Sequence, residues 1–119
     1  MASFSSEPRA FLRYDTDVPA MVTSATMRIS VKMLSVSASG AMVRMDRLSA
    51  KVFDDDVFML EVSGIGRFAA YKKWRRDTDL GCKFDVSDQD RLYLAERLAV
   101  RFGRAKVPTM PVAALAPRP

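Results

Sequence analysis

At 119 residues the chain fits one domain with a modest core, and 49% hydrophobic with 28% charged residues is an ordinary globular balance. Nineteen Lys and Arg against fourteen Asp and Glu give +5, which favours anionic partners such as nucleotides, nucleic acid or acidic lipid without choosing among them. Histidine is absent and Cys82 is alone, which removes the commonest general base, the commonest transition-metal ligand and any intrachain disulfide.

Met1 to Ser6 is small and polar and reads as a mobile N-terminus, with the flexible segment expected over residues 1–8. Its pattern is not that of a secretory signal, and no apolar run has membrane-spanning length, so a cytoplasmic protein without membrane insertion is expected. The stretch "EPRAFLRYDTD" is charged and aperiodic. "PAMVTSA" after it reads as a short strand starting at Pro19. From Met27 to Met33 the alternation is clean: Met27, Ile29, Val31 and Met33 on one side, Arg28, Ser30 and Lys32 on the other. "SVSASG" follows. As a strand it would aim Ser35, Ser37 and Ser39 at one face, and three hydroxyls there need solvent, backbone turns or a polar ligand. Gly40 stands where a tight turn or a close ligand approach needs no side chain.

Strands are next expected at "AMVRM", "VFMLEV", "RFAAYKKW" and "LGCKFDV", with turns at "SGIG" and "RRDTD". "FDDD" (Phe53 to Asp56) lacks the ligand spacing of a calcium loop and reads as a solvated acidic turn. Ser87 then offers an N-cap with Asp90 three residues on. The helix "RLYLAERLAVRF" places Leu92, Ala95, Ala99 and Phe102 along one stripe with Leu94 and Leu98 beside it, leaving Arg91, Glu96, Arg97 and Arg101 wet. Gly103 is expected as the residue after the helix, and the Pro-rich residues 104–119 as a disordered tail. Six short strands joined by turns, then one helix, give a mainly β fold over residues 9–103. The expected form is an antiparallel barrel with a C-terminal α-helix.

The order of the polar motifs adds to this. Arg9 and Arg13, spaced R-x-x-x-R, precede the first strand, and Ser35-x-Ser37-x-x-Gly40 stands between later ones. This combination resembles the PilZ domain, a bacterial receptor family for cyclic di-GMP. That family carries R-x-x-x-R near its start and (D/N)-x-S-x-x-G in a later turn of a six-stranded barrel with a C-terminal helix. "KKWRRDTDLGCKF" resembles the family's penultimate strand, turn and G-x-x-F final strand, at Gly81 and Phe84. A second R-x-x-x-R, at Arg97 and Arg101, falls inside the expected helix and belongs to its solvated face.

The resemblance implies a non-enzymatic, cytoplasmic signalling receptor for cyclic di-GMP with no cofactor and no metal. A separate effector protein, unnamed by the sequence, would carry outputs such as motility, biofilm attachment or polysaccharide secretion. It implies ligand contacts by Arg9, Arg13, Ser35, Ser37 and Gly40, with Trp74 at the site's edge; by spacing alone Trp74 fits a core or rim position. The chemistry suits these residues. Guanine presents O6 and N7 as adjacent acceptors that an arginine fork reaches with two bonds, and the same planar group pairs with phosphate or stacks on a base. Cys82 reads as packing rather than reactive, and Arg75 and Arg76 as a solvated turn.

Two positions depart from the pattern. Ser35 replaces the Asp or Asn. One hydroxyl does not span guanine N1 and N2 as a carboxylate does, and the lost contact costs on the order of 1–3 kcal/mol. Pro8 stands where many members carry another arginine, which leaves a ligand monomer and a stacked dimer both open. The alternative reading is therefore a degenerate adaptor of the same fold that binds no nucleotide and acts by protein contact. A nucleic-acid-binding barrel is disfavoured, because the aromatics sit mostly at apolar-periodic positions rather than interleaved with basic residues on one face.

Overall fold

The computed structural model describes residues 11–103. Arg9 lies outside the described residues, as do the expected flexible N-terminus and Pro-rich tail.

Six strands close into an antiparallel barrel: β1 (Tyr14–Thr23), β2 (Arg28–Val36), β3 (Gly40–Arg44), β4 (Val57–Val62), β5 (Gly66–Arg76) and β6 (Asp79–Phe84). Around the barrel the order is β1-β2-β3-β6-β5-β4, every neighbouring pair antiparallel. Closure leaves no free strand edge. A short helix α1 (Arg47–Val52) links β3 to β4, and α2 (Asp88–Phe102) follows β6.

The alternation read from the sequence sets the core. Ile29, Val31 and Met33 of β2 are buried and meet Val22, Val43, Leu60, Leu80 and Phe84 from the other strands. Two turns take backbone conformations that side chains resist. Gly64 and Gly66 in "SGIG" have φ of 85° and 142°, which glycine adopts at no steric cost. Asp77, at φ 54°, turns the β5–β6 hairpin; aspartate tolerates the left-handed region better than most residues.

The structure corrects several expectations. β1 begins at Tyr14, not Pro19, because Tyr14 already pairs with Val36. Pro19 is tolerated inside the strand since the ladder to β4 starts only at Ala20, so that side asks nothing of its missing N–H. Helix α1 was not expected; it forms because Asp46 caps it, accepting from the Ser49 N–H at 2.7 Å. Arg75 is not a solvated turn residue either. It is half-buried and donates to the Ala50 and Phe53 carbonyls at the open end of α1. The acidic run is tied to the sheet: Asp55 accepts from Thr26 Oγ1 at 2.6 Å, and Asp56 pairs with Lys72 at 3.1 Å.

Helix α2 starts at its expected cap, Ser87, which accepts from the Asp90 N–H. Its buried face is Leu94, Leu98 and Phe102, with Phe102 against Tyr14. The expected stripe is therefore rotated: Leu92 and Ala99 face solvent, while Arg91 and Arg97, expected wet, are half-buried. The physical reason is that Arg91 and Arg97 find backbone acceptors, the Val86 carbonyl in the β6–α2 linker and the Gly64 carbonyl in the β4–β5 turn. Gly103 ends the helix in right-handed conformation, so its freedom to adopt positive φ is not used.

This rotation is testable. Leu98 is 0% exposed and Leu92 is 61% exposed. Leu98→Ala is expected to cost about 2–5 kcal/mol in chemical denaturation, whereas Leu92→Ala is expected to stay within about 0.5 kcal/mol of the parent. Equal losses would contradict the observed helix face.

Candidate functional site

Two register shifts build the site. In β2, Met33 pairs with Val43 and Ser35 with Met42, so Leu34 is an extra residue. Simple alternation from Ile29, Val31 and Met33 would send Ser35 into the core. The bulge instead puts Ser35 on the outer face beside Met42 and returns Val36 to the core. The β1–β2 ladder is also irregular here, and the Thr16 hydroxyl donates to the Met33 carbonyl at 2.7 Å, satisfying an acceptor at the shift.

The second shift is in β5. Lys72 pairs with Cys82 and Trp74 with Gly81, making Lys73 the extra residue. Without it Trp74 would share the inward parity of Ala70. With it, the indole swings outward and lies over Gly81, where a Cβ would overlap the ring. Glycine is thus required under the indole, an arrangement in which an aromatic covers a strand glycine. Trp74 stays 45% exposed, which leaves the indole available to a planar ligand.

Gly40 has a different reason for lacking a side chain. A Cβ there would run into the Cys82 carbonyl, so β3 and β6 approach too closely for any other residue. The turn before it is held by its own atoms: Ser37 N–H donates to the Gly40 carbonyl at 2.8 Å, and Ser37 Oγ accepts from Ser39 N–H at 3.1 Å.

Between these elements lies a cavity of about 580 Å³ lined by Phe11, Arg13, Ser35, Ser39, Gly40, Ala41, Met42, Lys73, Trp74, Gly81, Cys82, Lys83 and Arg91. It gathers four of the six expected site residues: Arg13, Ser35, Gly40 and Trp74. Ser37 is buried in the turn and does not line it, and Arg9 is outside the described residues. The three serines therefore do not share one strand face: Ser35 and Ser39 reach the cavity, and Ser37 holds the turn between them.

Within the cavity Arg13 Nη1 donates to Ser35 Oγ at 2.9 Å. Arg13, Lys73, Lys83 and Arg91 are all cationic, and no Asp or Glu is among the described lining residues. An indole face beside four cations suits a ligand that is both planar and anionic. Lys73, Lys83 and Arg91 were missed in the sequence. Lys83 was legible in principle, since it shares the outward parity of Gly81; Lys73 depends on an unreadable bulge and Arg91 on the rotation of α2. Cys82 lies at the cavity wall, and burial pushes its thiol up to about 11, opposed by a backbone hydrogen bond at Ala41 and, less, by the charge of Arg13. Among the described residues no cluster of three or more metal-ligating side chains occurs, and no helix is long and apolar enough to cross a membrane.

No family model and no curated protein matches the chain. Solved structures do. The PilZ domain of CeSA from a cellulose-synthesizing bacterium is 13% identical with a TM-score of 0.60, over 76% of this chain and 96% of that one. The PilZ domain of YcgR from Escherichia coli, determined with c-di-GMP, is 14% identical with a TM-score of 0.57, over 83% and 94%. An uncharacterised Legionella protein is 15% identical with a TM-score of 0.54, over 80% and 99%. The fold of this chain is PilZ-like.

Two measurements check the geometry. Gly81→Ala is expected to displace the indole, and because Trp74 is the only tryptophan the change reads directly as a red shift of intrinsic fluorescence; an unmoved spectrum would contradict the packing. With its thiol pushed up to about 11 by burial, Cys82 is almost wholly protonated at pH 8. Alkylation of the native protein is thus expected to be slow at pH 8, to rise with pH towards 11, and to become fast on unfolding.

Proposed function

We propose that this chain is a cyclic di-GMP receptor that passes ligand occupancy to a separate effector protein, without chemistry of its own. One observation carries the reading. The cavity brings Arg13, Ser35, Gly40 and Trp74 together with three more cations, on the fold shared with a PilZ domain determined with c-di-GMP. The ligand's two phosphates would meet the cationic side chains, and a guanine would lie against Trp74. Arg13, freed from Ser35, would present its fork to guanine O6 and N7 or to phosphate. Arg9, four residues before Arg13, is the second arm in this reading. Such a receptor works in the bacterial cytoplasm, and regulation of motility, attachment or polysaccharide secretion fits a small module of this kind.

A second reading has its own support. Ser35 Oγ is already engaged by Arg13, and no carboxylate lines the described cavity to receive guanine N1 and N2. That favours an adaptor that binds no nucleotide and acts by protein contact.

Titration calorimetry separates the two. Cyclic di-GMP is expected to bind with a Kd in the micromolar range or below, and GTP and cyclic AMP far more weakly. No heat at about 100 µM ligand, roughly −5.5 kcal/mol of binding free energy, moves the assignment to the adaptor. Arg9→Ala or Arg13→Ala is expected to cost roughly 1.5–3 kcal/mol each, while Arg101→Ala, on the solvated face of α2, is expected to leave binding unchanged. Ser35→Asp is expected to tighten binding by about 1 kcal/mol, roughly fivefold. The gain is capped because Arg13 would take one carboxylate oxygen and because the new charge lies near two phosphates. A well-folded Ser35→Asp protein that binds more weakly would mean that the serine is matched to another ligand geometry.

A further inference from the structure

Among the described residues, two buried side-chain nitrogens have no hydrogen-bond partner, and one of them, Arg91 Nε, belongs to a side chain that lines the cavity. Buried donors are rarely left unpaired, and each such case calls for a cause. Arg91 stands in the first turn of α2 and closes its first backbone bond, donating from its N–H to the Ser87 carbonyl at 2.9 Å. Its guanidinium donates to Asp88 Oδ1 at 2.9 Å and to the Val86 carbonyl at 3.2 Å. The side chain is only 19% exposed, while that of Asp88 is 100% exposed. An ion pair with a fully solvated carboxylate contributes little, so Asp88 is a partner that an incoming anion displaces easily.

We infer that Arg91 is a ligand-binding residue of the cavity, an anion anchor supplied by α2 rather than by the barrel or the N-terminal arm, with Asp88 as its resident competitor. This deepens the proposed receptor reading and rests on it for the identity of the ligand. The phosphate-bearing ligand replaces the Asp88 carboxylate on the guanidinium and gives Nε its missing acceptor. The first turn of α2 thereby becomes part of the binding site, and occupancy is felt by the helix.

The Asp88 competitor gives the inference a sign that a merely structural arginine would not share. Cyclic di-GMP is titrated calorimetrically into the full chain, its Arg91→Ala, Arg91→Lys and Asp88→Asn variants, and the double variant. Arg91→Ala is expected to weaken binding about tenfold or more, with Arg91→Lys between it and the parent, since lysine keeps the charge but loses the fork. Asp88→Asn is expected to tighten binding about two- to fivefold, and only where Arg91 is present, so that the double variant binds like Arg91→Ala. Binding unaltered in Arg91→Ala overturns the inference, as does an Asp88→Asn gain that persists in the Arg91→Ala background, which would be general charge. Thermal melts accompany each variant; where Arg91→Ala does not fold, Arg91→Lys and Asp88→Asn decide by the same criteria. If cyclic di-GMP does not bind the parent at all, the receptor reading falls separately. Inorganic pyrophosphate, followed by Trp74 fluorescence, then decides. A response in the parent that is lost in Arg91→Lys and enhanced in Asp88→Asn keeps the anion anchor, and no response in any of them overturns it.

Discussion

Strand parity is the constraint on which the rest of this molecule depends. A closed barrel of six short strands has one interior, and every second residue of each strand is committed to it. Met33, Leu60, Leu80 and Val43 fill that interior with no exposure at all. A polar or large amphipathic side chain arriving with inward parity would break the packing. Ser35 and Trp74 both arrive so, and single extra residues at Leu34 and Lys73 send each of them outward. The site exists because the ladder slips twice, and both slips face the same cavity.

The same geometry divides the lining residues by stiffness. Gly40, Gly81 and Trp74 sit on paired strands, and the two glycines are fixed by close contact with a neighbouring strand's carbonyl and with the indole. Arg13 precedes the first strand and Arg91 begins a helix, so the strongest donors reach in from outside the sheet. Before any ligand arrives each arginine has a local partner, Ser35 for one and Asp88 for the other. Of the two, the ion pair with the fully solvated Asp88 contributes the little expected of a surface pair.

Much of this was legible in the sequence, and the failures have physical causes. The alternation of Ile29, Val31 and Met33, the glycine turn at "SGIG" and the Ser87 cap are local signals, and they yield the six strands of the barrel and the C-terminal helix, though not α1 between β3 and β4. What escaped was non-local. β1 was read five residues short because its first half is charged and gains its partner only from Val36, twenty-two residues on. The face of α2 was misjudged because Leu92 is as apolar as Leu94, and the choice between them is made by the backbone acceptors that hold Arg91 and Arg97. Of the cavity, Arg13, Ser35, Gly40 and Trp74 could be named through the resemblance of their motifs to a known family. Lys73 and Arg91 could not, since a bulge and a helix rotation leave no mark in a sequence pattern.

An aspartate in place of Ser35 would form an ion pair with Arg13 and hold that arm in place before any ligand came. The serine instead accepts one hydrogen bond from the guanidinium at 2.9 Å, with the charge on the donor side only. In the proposed receptor guanine recognition would be poorer for it, while Arg13 would be released at lower cost. The two effects would oppose each other, so the affinity lost through the missing carboxylate would be smaller than the direct contact alone suggests.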